Sequence, residues 1–317
     1  MLTIDREHPF FATWHPALNN EQGAFGNIVR RVKNVLFYIP NSIMAAIINP
    51  RSASRVYPLS YAFSPSESIS KEIICPDNVH VKAEVVLAKG ATELTPTIIL
   101  FNPLGTNGDI YDRLVNKFNN CNFVLFNYRE WKATWRAQDL IVDGDSVYQY
   151  VVRELGINQD KVHFFGYSLG GAIALQVKAL HPESLGKYVG DRVFLSVFRF
   201  ISENFCIARL GRVIKIITSS ISSILLAWPI YLLGWEWDGS RAMRQIRGDK
   251  LIICHPNDFL VPREASLACQ ASEEEVLYLS RNEIGPRTHF APINEHVTEQ
   301  DERADQIVAN FLCSSDV

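Results

Sequence analysis

Lys161-Val162-His163-Phe164-Phe165-Gly166-Tyr167-Ser168-Leu169-Gly170-Gly171 reads as a buried strand, a tight turn and the first residues of a helix. Val162 to Phe165 is a short apolar run of the kind found inside a parallel sheet, and the Ala/Leu-rich text from Leu169 to Leu180 is helical. One serine stands between glycines at the junction. A serine hydroxyl is a poor nucleophile at neutral pH, so it must be presented on a sharp turn where a base reaches it and small neighbours leave room. Gly166 and Gly170 meet that need, which makes Ser168 the candidate nucleophile. The backbone N–H of Leu169, at the start of the helix, is a candidate oxyanion donor in the positive potential of a helix N-terminus. Gly-rich strand-to-helix turns also occur without chemistry, so the reading depends on what the rest of the chain supplies.

Further strand and helix signals extend on both sides of this stretch. Val79, Val81, Ala83 and Val85 alternate with His80, Lys82 and Glu84 as in a half-buried strand. Thr97 to Phe101, Phe123 to Phe126 and Leu251 to Cys254 are apolar runs of the buried-strand type, and Arg192 to Phe198 and Val276 to Leu279 are strand-like. Helical text from about Asp139 to Leu155, from Leu169 to Leu180 and from about Gln300 to Phe311 lies between or after them. The alternation predicts an α/β fold: a mostly parallel sheet covered by helices, with chemistry at the carboxyl ends of the strands.

The chain has 317 residues, enough for one large α/β domain with an insertion. Its net charge of -3 argues against nucleic acid as a partner, because phosphate recognition draws on a surplus of Lys and Arg. Six scattered cysteines without a C-x-x-C pair read as buried reduced thiols and fit a cytoplasmic protein. The N-terminal text has no basic region followed by an apolar run and is not a Sec-type signal peptide; export without such a signal would leave the same text.

Four spans follow. Residues 1–56 form an N-terminal extension in which Phe25, Ile28, Val29, Val32, Val35, Leu36 and Ile39 recur at helical spacing beside Arg30, Arg31 and Lys33, an amphipathic helix with a basic side. Residues 57–200 and 246–317 are the two parts of the core. Residues 201–245 are a cap or lid insertion. Its uncharged stretch from Ile216 to Trp235 is long enough for a membrane span, but Thr218, Ser219, Ser220, Ser222, Ser223 and Pro229 lower its hydrophobicity. The expectation is a cap over the site, with membrane-surface contact as the alternative and a span as the least favoured reading.

A serine nucleophile needs an imidazole to take its proton and a carboxylate to orient that imidazole. Asp258, in His255-Pro256-Asn257-Asp258-Phe259-Leu260-Val261-Pro262, follows a buried strand and is the candidate acid. The bland reading is a polar Asn-Asp turn. His289, in Thr288-His289-Phe290, falls in a loop after the last strand-like run and is the candidate base. Its competitors are His296, read as a surface residue, His255, a core or loop histidine, and His163, a structural residue inside the nucleophile strand. The second oxyanion donor is expected in Asn102-Pro103-Leu104-Gly105-Thr106-Asn107-Gly108, at the Leu104 N–H, although a plain Pro/Gly turn reads the same way.

With Ser168, Asp258 and His289 in that order on alternating strands and helices, the sequence resembles the α/β-hydrolase superfamily from about Val79 to Phe311. Gly166-Tyr167-Ser168-Leu169-Gly170-Gly171 carries the likeness as a nucleophile elbow, the Asp258 segment as the acid loop and the His289 segment as the base loop. Phe126-Asn127-Tyr128-Arg129 looks like the family's fourth-strand ending. Two departures stand out: Asn102-Pro103 replaces a His-Gly, and Glu130-Trp131 replaces the glycine after Tyr-Arg. The amphipathic N-terminal segment with a helical cap is similar in layout to hydrolases of intracellular bacterial pathogens.

The resemblance implies an inserted helical cap and a serine hydrolase of carboxylic esters or thioesters, lipase- or esterase-like, needing no metal and no organic cofactor. The basic amphipathic segment and the apolar cap point to a lipid or lipidated ester substrate met at a peripheral membrane surface. The alternatives are a serine peptidase of the same fold, a small soluble ester as substrate, and a catalytically silent docking module.

Overall fold

The computed structural model describes residues 68–103, 111, 114, 115, 118, 120–129, 136–197, 199, 200, 236–282 and 287–313. Several sequence expectations lie outside the described residues: the amphipathic helix over 25–39 with the rest of the 1–56 extension, the donor Leu104, Glu130-Trp131, and the stretch from Ile216 to Trp235 within the cap.

Eight strands form one sheet: β1 (Ser68–Ile74), β2 (His80–Val86), β3 (Thr97–Phe101), β4 (Asn122–Phe126), β5 (Val162–Tyr167), β6 (Tyr188–Asp191), β7 (Lys250–Cys254) and β8 (Val276–Tyr278). Their spatial order is β1-β2-β4-β3-β5-β6-β7-β8. β1 pairs antiparallel with β2, and β2 antiparallel with β4; every pairing from β4 through to β8 is parallel. The α-helices whose bounds fall among the described residues are α1 (Ala137–Arg153), α2 (Leu169–Ala179), α3 (Gly239–Gln245), α4 (Arg287–Phe290) and α5 (Ala304–Cys313). This is the mostly parallel, helix-covered sheet that the alternation of apolar runs predicts.

β3, β4 and β5 are buried along their whole length because helices cover both faces of a parallel sheet, so their sequences are continuous apolar runs and do not alternate. Successive side chains still point to opposite faces. Ile99, Phe101, Val124, Phe126 and Phe164 pack with Tyr148 and Val151 of α1, Ile173 and Val177 of α2, and Ala242 and Met243 of α3. Ile98, Leu100, Phe123, Leu125 and Phe165 pack on the other face with Ala304, Val308 and Leu312 of α5. The chain passes from β3 to β4 on one side and then to β5 on the other. The order therefore reverses around β3, beside the turn that follows β5, which is the switch point where open α/β sheets place their ligands.

Three details differ from the sequence reading. The strand expected over Arg192–Phe198 lies earlier, at β6, because Arg192 adopts φ 50 and turns the chain out of the sheet. The apolar text that follows makes only a single bridge, Phe194 to Ser266. The last helix begins at Ala304, since Thr298 Oγ1 accepts the N–H groups of Gln300 and Glu302 (3.2 Å each) and holds the preceding residues in a turn. Cys121 and Cys313 are not reduced thiols but a disulfide, a pairing across 192 residues that local spacing does not reveal.

Candidate active site

Ser168 follows β5 with φ 52 and ψ -120, a conformation costly for a residue with a side chain. Its N–H donates to Asp191 O at the end of β6 (2.8 Å), and α2 starts at the next residue. The glycines are there for space. A Cβ on Gly170 would stand 2.0 Å from Phe101 O, and one on Gly166 would stand 2.5 Å from Gly171 N, so α2 reaches this close to β3 and β5 only without those side chains.

Asp258 lies in the turn after β7, where its N–H donates to His255 O (3.0 Å). Its carboxylate is divided between two tasks. Oδ1 accepts the N–H groups of Leu260 (2.8 Å) and Val261 (2.9 Å), and Oδ2 lies 2.7 Å from His289 Nδ1. Both side chains are only 2 % exposed, so this charge-assisted contact is shielded from water. A carboxylate only accepts, so Nδ1 carries the proton and Nε2 turns its lone pair to Ser168 Oγ, 3.2 Å away. The three residues singled out in the sequence thus stand in one hydrogen-bonded line, drawn from the loop after β5, the loop after β7 and α4.

The Leu169 N–H belongs to the first turn of α2, where backbone donors lack intrahelical acceptors, and it adjoins Ser168. Asn102, at one departure from the family pattern, is buried and donates from Nδ2 to Phe126 O (2.7 Å), tying the end of β3 to the end of β4.

The competing histidines are occupied elsewhere. His163 Nδ1 accepts the Lys187 N–H (2.9 Å) inside the sheet, and His255 Nδ1 accepts the Asn257 N–H (3.1 Å) in the acid turn. His296 is buried, not at the surface: the bridges Leu279–Thr298 and Val297–Arg303 pull its segment inward, and its Nε2 receives Arg192 Nη1 at 2.8 Å.

Sequence reasoning passed over Tyr111, Tyr167 and Arg192. Tyr111 OH donates to Phe101 O (2.7 Å) and accepts the Tyr167 N–H (3.2 Å), joining β3 to β5 just before Ser168. Tyr167 OH donates to His289 O, and burial raises its pKa against the opposing pull of Arg192. Burial works against the Arg192 charge, but the Asp191 carboxylate outweighs it and keeps the guanidinium pKa above its ordinary value. Phe259 and Phe290 stand exposed beside His289, their rings 5.6 Å apart and each edge-on to the His289 ring.

No family model matches the chain. Protein R595 of Acanthamoeba polyphaga mimivirus is 29% identical over 111 residues, 32% of this chain and 36% of that one. RutD of Serratia proteamaculans, a candidate carbamate hydrolase, is 26% identical over 150 residues, 46% of this chain and 54% of that one. The chain therefore spans about half or less of the length of these curated relatives. Among solved structures, an esterase of Pyrococcus furiosus superposes with a TM-score of 0.56 at 16% identity, covering 84% of this chain and 96% of that one. An esterase of Pyrobaculum calidifontis does so with a TM-score of 0.53 at 16% identity, covering 87% and 97%. An acetyl xylan esterase of Paenibacillus gives 0.52 at 13% identity, covering 78% and 87%. The chain has the α/β-hydrolase fold.

Proposed function

We propose that the chain is a serine hydrolase of carboxylic esters or thioesters. The observation that carries the reading is the line from Ser168 Oγ through the His289 ring to Asp258, with contacts of 3.2 and 2.7 Å. In this reading Ser168 Oγ attacks the acyl carbon while His289 Nε2 takes its proton, and Asp258 holds the imidazolium that forms. The carbonyl oxygen becomes an oxyanion facing the Leu169 N–H, and Leu104, expected from the sequence as the second donor, lies outside the described residues. Collapse expels the alcohol or thiol, which leaves with the proton from Nε2. Water, deprotonated by the same nitrogen, then releases the acid and restores Ser168. Ester over peptide is favoured by the esterases among the fold neighbours.

Activity toward short-chain nitrophenyl esters and labelling by a fluorophosphonate test this directly. Ser168→Ala is expected to abolish labelling and lower kcat by at least about 10⁴-fold. Equal labelling of the variant and the parent chain would refute the assignment.

The proposal extends to lipid or lipidated esters met at a membrane surface, supported by the basic amphipathic sequence over residues 25–39 and the apolar stretch from Ile216 to Trp235. Among the described residues no helix is long and apolar enough to cross a membrane. Flotation with phosphatidylserine vesicles, lost when residues 1–56 are removed, is the expected result; equal behaviour with and without lipid would favour a small soluble ester.

A further inference from the structure

We infer that Arg192 is a positioning residue for the base, a buried guanidinium that fixes the His289 main chain against the end of β6 and against the residue that precedes Ser168; the inference rests on the hydrolase reading above. Arg192 is about as buried as any side chain in the described fold, yet long cations are almost never fully buried without a specific set of partners. Its partners are Asp191 and His296, which lie behind the site, and Tyr167, Thr288 and His289, which adjoin or form it. Nε and Nη2 form a fork on the two carboxylate oxygens of Asp191, each at 2.8 Å. Nη1 donates to His289 O at 2.9 Å and to His296 Nε2 at 2.8 Å, and lies 3.5 Å from Thr288 O. The guanidinium carbon sits 4.6 Å from the centre of the Tyr167 ring, the residue just before Ser168.

The backbone completes the lock. Arg192 N–H donates to Ile253 O of β7 (2.8 Å), the strand that delivers Asp258. Asp191 O, one residue back, receives the Ser168 N–H. The residue pair Asp191-Arg192 thus touches the nucleophile turn and the strand of the acid through main-chain bonds, and the base through its side chain. The His289 carbonyl is held from two sides, by Arg192 and by the Tyr167 hydroxyl. A carbonyl gripped twice fixes the position of its own Cα, and the imidazole then has little freedom beyond its side-chain torsions. Arg192 pairs with the carboxylate of its own neighbour and retains φ 50, the strained turn that swings its side chain under α4. A charge that served stability alone would be replaceable by packed apolar side chains, whereas this one is directed at the His289 carbonyl and at the ring of the residue before Ser168.

The test compares Arg192→Met, Arg192→Lys and Tyr167→Phe with the parent chain, using fluorophosphonate titration to count competent sites and expressing kcat per titrated site. A misplacement of the base by a fraction of an ångström to 1 Å lowers turnover by about 10 to 100-fold. The expected result is that loss per site in Arg192→Met with KM within about threefold, a partial recovery in Arg192→Lys, and a smaller loss in Tyr167→Phe, which removes only one of the two grips. A purely structural arginine would instead lower the number of titratable sites and leave kcat per site unchanged. If both Arg192 variants fail to fold, Tyr167→Phe decides: a reduced kcat per site supports the lock. Unchanged kcat per site in the variants that fold, beside a normally active parent, overturns the inference alone. A parent chain that neither labels nor turns over esters overturns the hydrolase reading and the inference with it.

Discussion

Asp258→Asn separates orientation of the base from simple occupancy of the acid position. An asparagine in that place has two settings. If its oxygen takes over from Oδ1, the N–H groups of Leu260 and Val261 stay satisfied, and its NH₂ faces His289 Nδ1. If it is reversed, the contact to Nδ1–H is kept but an NH₂ faces two backbone donors, one of them buried. Leaving the buried Val261 donor unpaired alone costs about 1–3 kcal/mol, against about 1 kcal/mol for the single contact retained. The first setting therefore wins. It presents a donor to Nδ1, so Nδ1 must accept and the proton moves to Nε2, where it points at Ser168 Oγ and can no longer leave room for the serine proton. The expected loss in kcat is about 10³ to 10⁴-fold, a barrier rise of about 4–5 kcal/mol. Because both backbone contacts survive, the melting temperature is expected to move by no more than a few degrees, about what 1 kcal/mol produces. Steady-state hydrolysis of a nitrophenyl ester with a parallel thermal scan gives both numbers. A kcat within tenfold of the parent chain would show that Asp258 does not set the imidazole tautomer, and the reasoning would fail.

Gly170→Ala places a Cβ 2.0 Å from a main-chain oxygen, which cannot rotate aside, and is expected to destabilise the fold by about 3 kcal/mol; a urea midpoint equal to the parent's would contradict the close approach of α2 to β3. Arg129 donates Nε (2.8 Å) and its own N–H (2.8 Å) to the fully buried Asp143; Arg129→Met keeps the N–H but removes the only guanidinium beside that carboxylate among the described residues, and is expected to remove about 3–5 kcal/mol, read from the same denaturation curve. Lys178 is buried on α2 with its Nζ 3.3 Å from Ser184 O, and burial lowers its pKa from 10.5 to about 8. The unfolded chain holds that proton up to about pH 10.5 while the fold releases it from about 8, so between these values the unfolded state binds more protons and this residue's contribution to stability rises with pH. Lys178→Met is accordingly expected to be more stable than the parent at pH 7 by up to about 3 kcal/mol, with the gap closing toward pH 10.5 in paired urea titrations; a gap independent of pH would refute the assignment.

The parts legible in the sequence are those in which burial alone determines residue type. β3, β4, β5 and β7 are covered on both faces, and their text is continuously apolar, so their positions could be read to within about two residues. β1 could not be read, because it is an edge strand with only Ile73 buried, and exposed text carries no such signal. β6 was misplaced for the opposite reason. Its four residues include Gly190 and Asp191, while the more apolar run after Arg192 looks like a better strand and is excluded from the sheet by one positive φ. At the candidate site, Ser168, Asp258 and His289 were visible because each sits in a short local motif. Arg192 was not, because its meaning lies in contacts with residues 96 to 104 positions away.

That contrast bears on where function is vulnerable. A hydroxyl, an imidazole and a carboxylate carried on three separate loops have no local reason to meet at 2.7 and 3.2 Å, since each loop has its own freedom. The freedom is removed by polar backbone contacts at the strand ends: Ser168 N–H on Asp191 O, the Leu260 and Val261 N–H groups on Asp258, and Arg192 with Tyr167 on His289 O. Each anchor uses a group that must be satisfied anyway once it is buried, so the same bonds that make the loops foldable also set the geometry of the site. Under the hydrolase reading, substitutions at these anchors should then lower kcat more than they raise KM, although none of the altered atoms touches substrate. Substitutions at the exposed Phe259 and Phe290, which rim the base without anchoring it, should do the reverse.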